Sequence, residues 1–297
     1  MTKQKPIATP SRTNEILDQY GLSAKKSLGQ NFIMEPQILS DMLDVANVTA
    51  NSSVLEIGPG IGALTEALLS RARDVLAIEL DQRMLPVLEG ELGQEPHFHL
   101  VHGDVLKLPL KALVEEHLPR AEELLVVANL PYYITTPILF ALLESDLPID
   151  RLALLMQKEV AERLTAAPKT KAYGSLTLAL AYYCHCELAL KVPKTVFKPR
   201  PNVDSAVVLL TKRQEAPVRV QDEDLFKAVI RASFQQRRKT LWNNLRAYFG
   251  RGEAVLDRLE AALKAAKLNK QVRAEALTLQ EFAALANALS QEDFTVY

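Results

Sequence analysis

The sequence predicts an α/β fold, a mostly parallel sheet between helices, followed by a small all-helical domain. Three observations carry this. The apolar run Val54 to Ile57 breaks into Gly58, Gly60 and Gly62 and continues as an apolar periodic segment to Leu69, which reads as strand, tight turn and helix. Short apolar runs then alternate with single helical segments, an order that right-handed crossovers close into a parallel sheet. Beyond Thr211 only helical period remains.

Residues 1–24 are polar at their start, carry two prolines before Thr13, and read as a flexible N-terminal extension or a marginal helix. Lys25 to Ile33 is a basic, glycine- and amide-bearing loop ahead of a helical pattern that starts near Pro36 and carries Ile38, Leu39, Met42, Leu43 and Val45. The second strand runs from Val75 and ends in Glu79, the third from His97 and ends in Gly103-Asp104, and the fourth, Leu124 to Ala128, ends in Asn129. Helices at Met84 to Leu92 and Pro109 to Leu118 separate them. In a parallel sheet the three polar residues share the carboxyl edge, where such sheets hold their ligands.

Thr135, Thr136 and Pro137 supply an N-cap and a first-turn proline for a helix over Ile138 to Leu143. Leu152 to Met156, Cys184 to Val192 and Val203 to Leu210 are further strands, with a late antiparallel insertion among them, while Leu176 to Ala181 fits helix or strand. Helical period recurs over Asp222 to Phe234, Lys239 to Phe249, Glu253 to Lys267 and Thr278 to Leu289, the last opened by a Thr278/Glu281 capping box. The division that follows is a sheet domain over 25–212 and a helical domain over 213–297.

At 297 residues, with 48% hydrophobic and 24% charged residues, the composition is that of a soluble globular protein. No apolar run approaches the length of a membrane span and Met1 to Thr13 has no apolar stretch, so the expectation is a cytoplasmic protein with no membrane partner. Cys184, His185 and Cys186 alternate faces along a strand, and no second cluster completes a set of four ligands. His97, His99 and His102 also lack a partner at a telling spacing, and no metal is expected. The net charge of −1 hides an asymmetry: between Arg163 and Arg246 sixteen Lys or Arg face six Asp or Glu, a net of +10 that leaves −11 for the remainder. Such segregation points to one basic face for a polyanion.

The glycine turn lets backbone approach a ligand, and Glu79, about twenty residues beyond Gly58, is placed to hold ribose hydroxyls. Asn129-Leu130-Pro131-Tyr132 suits a planar exocyclic amine as substrate. Such a nitrogen is a poor nucleophile because its lone pair is delocalised into the ring. The Asn129 side-chain oxygen and the Leu130 carbonyl can each accept one of its N–H groups, Pro131 fixes that carbonyl, and Tyr132 offers a stacking face to a flipped-out base.

With these residues in place, the chain resembles the S-adenosylmethionine-dependent ribosomal RNA adenine N6-dimethyltransferases, and within them the bacterial small-subunit branch, the KsgA type. The likeness rests on the glycine turn with Glu56, on Glu79, Gly103-Asp104 and Asn129-Leu130-Pro131-Tyr132, on Gly29-Gln30-Asn31-Phe32-Ile33, on Phe197 to Ser205, and on Phe234 to Leu241. The family's usual Leu is replaced by Ile33. The resemblance implies a Rossmann-like domain with cofactor contacts at Gln30, Asn31, Ile33, Gly58, Gly60, Glu79, Asp104 and Asn129, Asp104 taking the adenine amino group. It also implies base stacking by Tyr132 and Phe197, the latter fitting the core equally well. Its products would be two adjacent dimethyladenosines near the 3′ end of 16S rRNA, with a part in subunit biogenesis, made by a monomer. Lys198, Arg200, Arg231, Arg237, Arg238, Lys239 and Arg246 are the candidate RNA contacts, with a solvated helix face as the alternative for each. A resistance-type methyltransferase of large-subunit rRNA, a DNA adenine methyltransferase and an assembly factor without chemistry are the competing readings. The chain's acidic remainder and long helical domain disfavour the first, and Asn-Leu-Pro-Tyr in place of Asp-Pro-Pro-Tyr disfavours the second.

Overall fold

A computed structural model describes residues 5–25, 28–292 and 294. Lys26 and Ser27 of the leading loop lie outside the described residues. The chain divides into two compact units: the first runs to Ala161 and resumes over Glu187–Lys212, and the second takes Glu162–Cys186 and the chain from Arg213 onward.

The first unit opens with α1 (Pro10–Gln19), then β1 (Phe32–Ile33), α2 (Pro36–Ala46), β2 (Ser52–Ile57), α3 (Ala63–Leu69), β3 (Asp74–Glu79), α4 (Leu85–Leu92), β4 (Phe98–His102), α5 (Leu110–His117), β5 (Glu123–Asn129), α6 (Thr135–Leu143) and β6 (Ile149–Gln157). After α7 (Lys158–Leu164) and α8 (Ser175–Tyr183) come β7 (Cys184–Val192), β8 (Phe197–Lys198) and β9 (Ser205–Lys212). One sheet has the order β4-β3-β2-β5-β6-β9-β7. Its pairs β3–β4, β2–β3, β2–β5 and β5–β6 are parallel, and β9 enters antiparallel to β6, as the late insertion requires. Val54, Leu55, Leu125 and Val126 are fully buried, which explains why these strands read as continuous apolar runs rather than alternating ones.

Two features of this unit differ from the sequence expectation. Residues 10–19, read as a flexible extension or a marginal helix, form a capped helix, with Thr9 accepting the Arg12 N–H and Pro10 in the first turn. Ile16 and Leu17 enter the main core, Arg12 pairs with Glu91, and the Ile7 N–H donates to Glu66 Oε2 at 2.8 Å. This order comes from tertiary contacts of a mostly polar segment, so its local signal is weak. The helix α6 begins at Thr135 rather than Ile138, and the Thr135 hydroxyl donates back to the Pro131 carbonyl at 3.0 Å instead of capping.

The second unit holds α8 together with α9 (Glu223–Ser233), α10 (Leu241–Phe249), α11 (Glu253–Ala265) and α12 (Leu279–Gln291). Asp222 caps α9 through the Leu225 N–H at 2.9 Å, and Thr278 and Glu281 exchange both capping-box bonds. The undecided segment around Leu176–Ala181 is helical. A division at residue 212 places 162–186 with the sheet, but contacts group it with the helices: Leu178 and Tyr182 share a core with Leu225 and Phe226, and the Tyr182 and Phe226 rings lie 5.3 Å apart.

Candidate active site

Five segments of the first unit converge on a cleft at the carboxyl edge of the sheet. Gln30, Asn31, Ile33, Gly58, Gly60, Glu79, Asp104, Asn129, Leu130, Pro131 and Tyr132 all border it. The cleft thus brings together residues as far apart in the chain as 30 and 132.

β2 leads into the glycine turn. Gly58 has φ of 70° and Gly60 of 60°, both left-handed. A Cβ on Gly58 would meet no protein atom within 4 Å, so there the backbone faces open space, whereas one on Gly60 would stand 3.2 Å from the Phe32 ring. Of the two, only Gly58 faces open space. Gly60 is constrained by the protein itself.

Glu79, at the end of β3, is 5% exposed. Its Oε2 accepts the Gly60 N–H at 3.0 Å and its Oε1 the Asp81 N–H at 2.7 Å, so the carboxylate ties the glycine turn to the strand end while bordering the cleft. Burial raises its pKa above the ordinary carboxylate value, with these backbone donors opposing. Asp104 is more open, its Oδ1 accepting the Leu106 N–H at 3.1 Å.

The leading loop is held by side-chain amides. Gln30 donates to Asp81 Oδ2 at 2.9 Å and accepts the Lys25 N–H at 2.9 Å, so its amide is committed to the protein even though it borders the cleft. Hydrogen bonds from Arg83 above all, and from Gln30, hold Asp81 down at about 2. Asn31 donates its Nδ2 to the Gly29 carbonyl at 2.9 Å, and its own carbonyl accepts Asn129 Nδ2 at 3.1 Å.

That last bond orients the Asn129 amide: its nitrogen is turned to Asn31, and its Oδ1 is left as an acceptor. Asn129 is opposite Leu155 in β6, and the Leu130 N–H donates to the Leu155 carbonyl at 3.1 Å, so both residues are fixed by the sheet. The Tyr132 hydroxyl shares a 2.7 Å hydrogen bond with Ser205 Oγ, and burial moves its phenol above the ordinary value.

Glu56 is a functional candidate the motifs do not assign. It is 1% exposed, borders the cleft, and its Oε2 has no hydrogen-bond partner among the described residues. Burial, with Glu79 adding repulsion, pushes its carboxyl up to about 8. The signal in the sequence was an acid inside an otherwise apolar strand. Phe197, read as either a stacking face or a core residue, takes the core position. It is 2% exposed, pairs with Ile33 through the β1–β8 ladder and packs in the main core behind the cleft residues Phe32 and Ile33.

Among the basic residues, Lys198 and Arg200 are exposed, with the Lys198 ammonium bonded to Asn14. In the second unit Arg231, Arg237, Arg238 and Lys239 are exposed. Arg237 also donates to the Lys171 carbonyl at 2.7 Å and the Tyr173 carbonyl at 3.1 Å, which gives it a structural task. Arg246 is half-buried over the Trp242 ring, 5.8 Å from its centroid. Among the described residues no group of three or more His, Cys, Asp or Glu is placed to hold a metal ion.

A family model described as ribosomal RNA adenine dimethylase matches residues 21–291. The chain belongs to the ribosomal RNA adenine dimethylase family. It is 53% identical to ribosomal RNA small subunit methyltransferase A of Lysinibacillus sphaericus (strain C3-41) and 51% identical to that of Geobacillus thermodenitrificans (strain NG80-2), in each case over 96% of this chain and 97% of the relative. Among solved structures, a dimethyladenosine transferase from Plasmodium falciparum matches with a TM-score of 0.72 at 24% identity, over 88% of this chain and 98% of that one. The 23S rRNA methyltransferase ErmE matches with a TM-score of 0.66 at 26% identity, over 88% of this chain and all of its own.

The dimethylase family uses S-adenosylmethionine, and the cleft suits that molecule. Its donor set has an orphaned buried carboxylate oxygen on Glu56 for an ammonium group and a strand-end carboxylate on Glu79 for hydroxyls. Its turn also admits backbone approach at Gly58.

Proposed function

We propose that this protein dimethylates the N6 atoms of two adjacent adenosines near the 3′ end of 16S rRNA, acting on the small ribosomal subunit in the cytoplasm, as a monomer, with a part in subunit biogenesis. The observation that carries the reading is the orientation of Asn129, whose Nδ2 is bonded to Asn31 so that Oδ1 is the acceptor available to a substrate amine. The names of relatives that match over nearly their whole length support the small subunit as substrate.

S-adenosylmethionine, when bound, supplies a methyl group made electrophilic by its sulfonium. Glu79 holds its ribose hydroxyls, Asp104 its adenine amine, and Glu56 its ammonium, with Asn31, Ile33, Gly58 and Gly60 shaping the remainder and Gln30 fastening the loop that covers them. Asn129 Oδ1 and the Leu130 carbonyl accept the two N–H groups of the target amine, which draws its nitrogen toward pyramidal geometry and aims the lone pair. Pro131 restrains that carbonyl and Tyr132 stacks on the base. The amine proton leaves to water after the nitrogen has been alkylated, so no strong base is needed. Exposed Arg231, Arg238 and Lys239, with Lys198 and Arg200, contact rRNA phosphates. Arg237 and Arg246 contribute there while also holding their own unit together.

The test supplies labelled S-adenosylmethionine with three substrates: small subunits lacking adenine dimethylation, naked large-subunit rRNA, and duplex DNA. Dimethyladenosine only in the small subunit is the expected result. Label in large-subunit rRNA would favour an ErmE-like activity instead. Cofactor binding without transfer to any substrate would favour an assembly factor.

A further inference from the structure

We propose that Ser205 is a positioning residue for the target base, setting the plane of the Tyr132 ring through the hydrogen bond between their hydroxyls. The inference rests on the reading of Tyr132 as the stacking platform.

The geometry is specific. Tyr132 lies in the segment after β5 and borders the cleft, while Ser205 opens β9, more than seventy residues later, and is fully buried. Their oxygens are 2.7 Å apart. Ser205 is held on both sides. It pairs with Gln157 of β6, and the preceding Asp204 accepts the Lys158 N–H through its carbonyl and the Lys194 N–H through its carboxylate, each at 3.0 Å. β6 is also the strand that fixes the amine-orienting residues, through the Asn129–Leu155 pairing and the Leu130 N–H bond to Leu155. One strand therefore indexes both the acceptor that meets the amine and the serine that meets the platform. A stacked ring attached only by its Cα–Cβ bond would be free to rotate. Tethering its far end to the sheet removes that freedom, so the base and its amine arrive in one frame.

This also assigns the phenol hydroxyl. Burial keeps it protonated well beyond neutral pH, so it is no proton acceptor for the amine, and its hydrogen bond to Ser205 points toward β9. What a Tyr offers here and a Phe would not is then the bond to Ser205.

The experiment is a double-mutant cycle with Ser205→Ala, Tyr132→Phe and the double variant. Methylation of small subunits is read as kcat and KM, and cofactor dissociation is measured separately. We expect each single variant to lose about five- to tenfold in kcat, the double variant to lose no more, and cofactor affinity to stay unchanged, since all three remove the same bond. Ser205→Thr, which keeps the hydroxyl, restores most of the loss. In parallel, RNA carrying 2-aminopurine at the target position reports stacking by fluorescence quenching, which should be strong with the native protein and weaker with Ser205→Ala. Additive losses in the double variant, or native turnover in Ser205→Ala, would overturn the proposal while leaving the dimethylase reading intact. Absence of quenching with the native protein would overturn the platform itself, and this proposal with it.

Discussion

The two units place chemistry in opposite ways. In the first, residues from five segments meet at one sheet edge and bond to one another: Asn129 to Asn31, Glu79 to Gly60, Gln30 to Asp81. In the second, exposed basic side chains stand at helix ends and turns, and the one with the best-defined bonds, Arg237, spends them on backbone carbonyls. A cleft for a small molecule is built by convergence, so each residue has a distinct task. A surface for a polyanion is built by repetition, so each residue is nearly dispensable.

That contrast orders the expected effects. Asn129→Ala should lower kcat by about a thousandfold with cofactor affinity within a few-fold, because it removes the acceptor that orients the amine. Glu79→Ala should weaken cofactor binding by about 10- to 100-fold in equilibrium dialysis, the range for lost hydrogen bonds to a charged group. The Arg238→Glu, Lys239→Glu pair should weaken rRNA binding and reduce the slope of log affinity against log salt by about 0.7–0.9 per lost contact, with cofactor binding untouched. A loss as steep as that of Asn129→Ala from the surface pair would break the comparison.

Glu56 sharpens it through pH. Its carboxyl sits at about 8 in the folded protein against an ordinary 4.5, so the native state holds the proton more tightly than the unfolded chain. Stability from this group is full below 4.5 and declines as pH rises through 8. Glu56→Gln should therefore melt above the native protein at pH 8, with the gap closing toward pH 5. The same variant should lose the rise in cofactor affinity that accompanies ionisation of a carboxylate facing a cation. A melting difference that grows toward acid pH would count against the burial of this group.

The strands were legible because they are buried on both faces, so that Val54, Leu55, Leu125 and Val126 form unbroken apolar runs, and the cleft was legible because polar residues end those runs. What escaped depends on tertiary partners. α1 is held by Arg12 to Glu91 and by Ile16 in the core, neither of which shows as local periodicity. β1 and β8 are two residues each, too short for a pattern, and their pairing accompanies the burial of Phe197. α8 carries an apolar surface that would suit a sheet or a bundle, and only the core it shares with Leu225, Phe226 and their neighbours assigns it. Glu56 and Gln30 show the same limit within the site, since an orphaned oxygen and a committed amide are both properties of neighbours.

The β1–β8 ladder also sets a timetable. Ile33 pairs with Phe197, so the loop that bears Gln30 and Asn31 gains its sheet partner only after the chain has been made to that point. At about 5–20 residues per second of synthesis, the glycine turn and the Asn129 segment wait roughly three to thirty seconds for that partner to be made. A nascent chain still short of Phe197 already carries every residue that lines the cleft but lacks the strand that pairs with its leading loop.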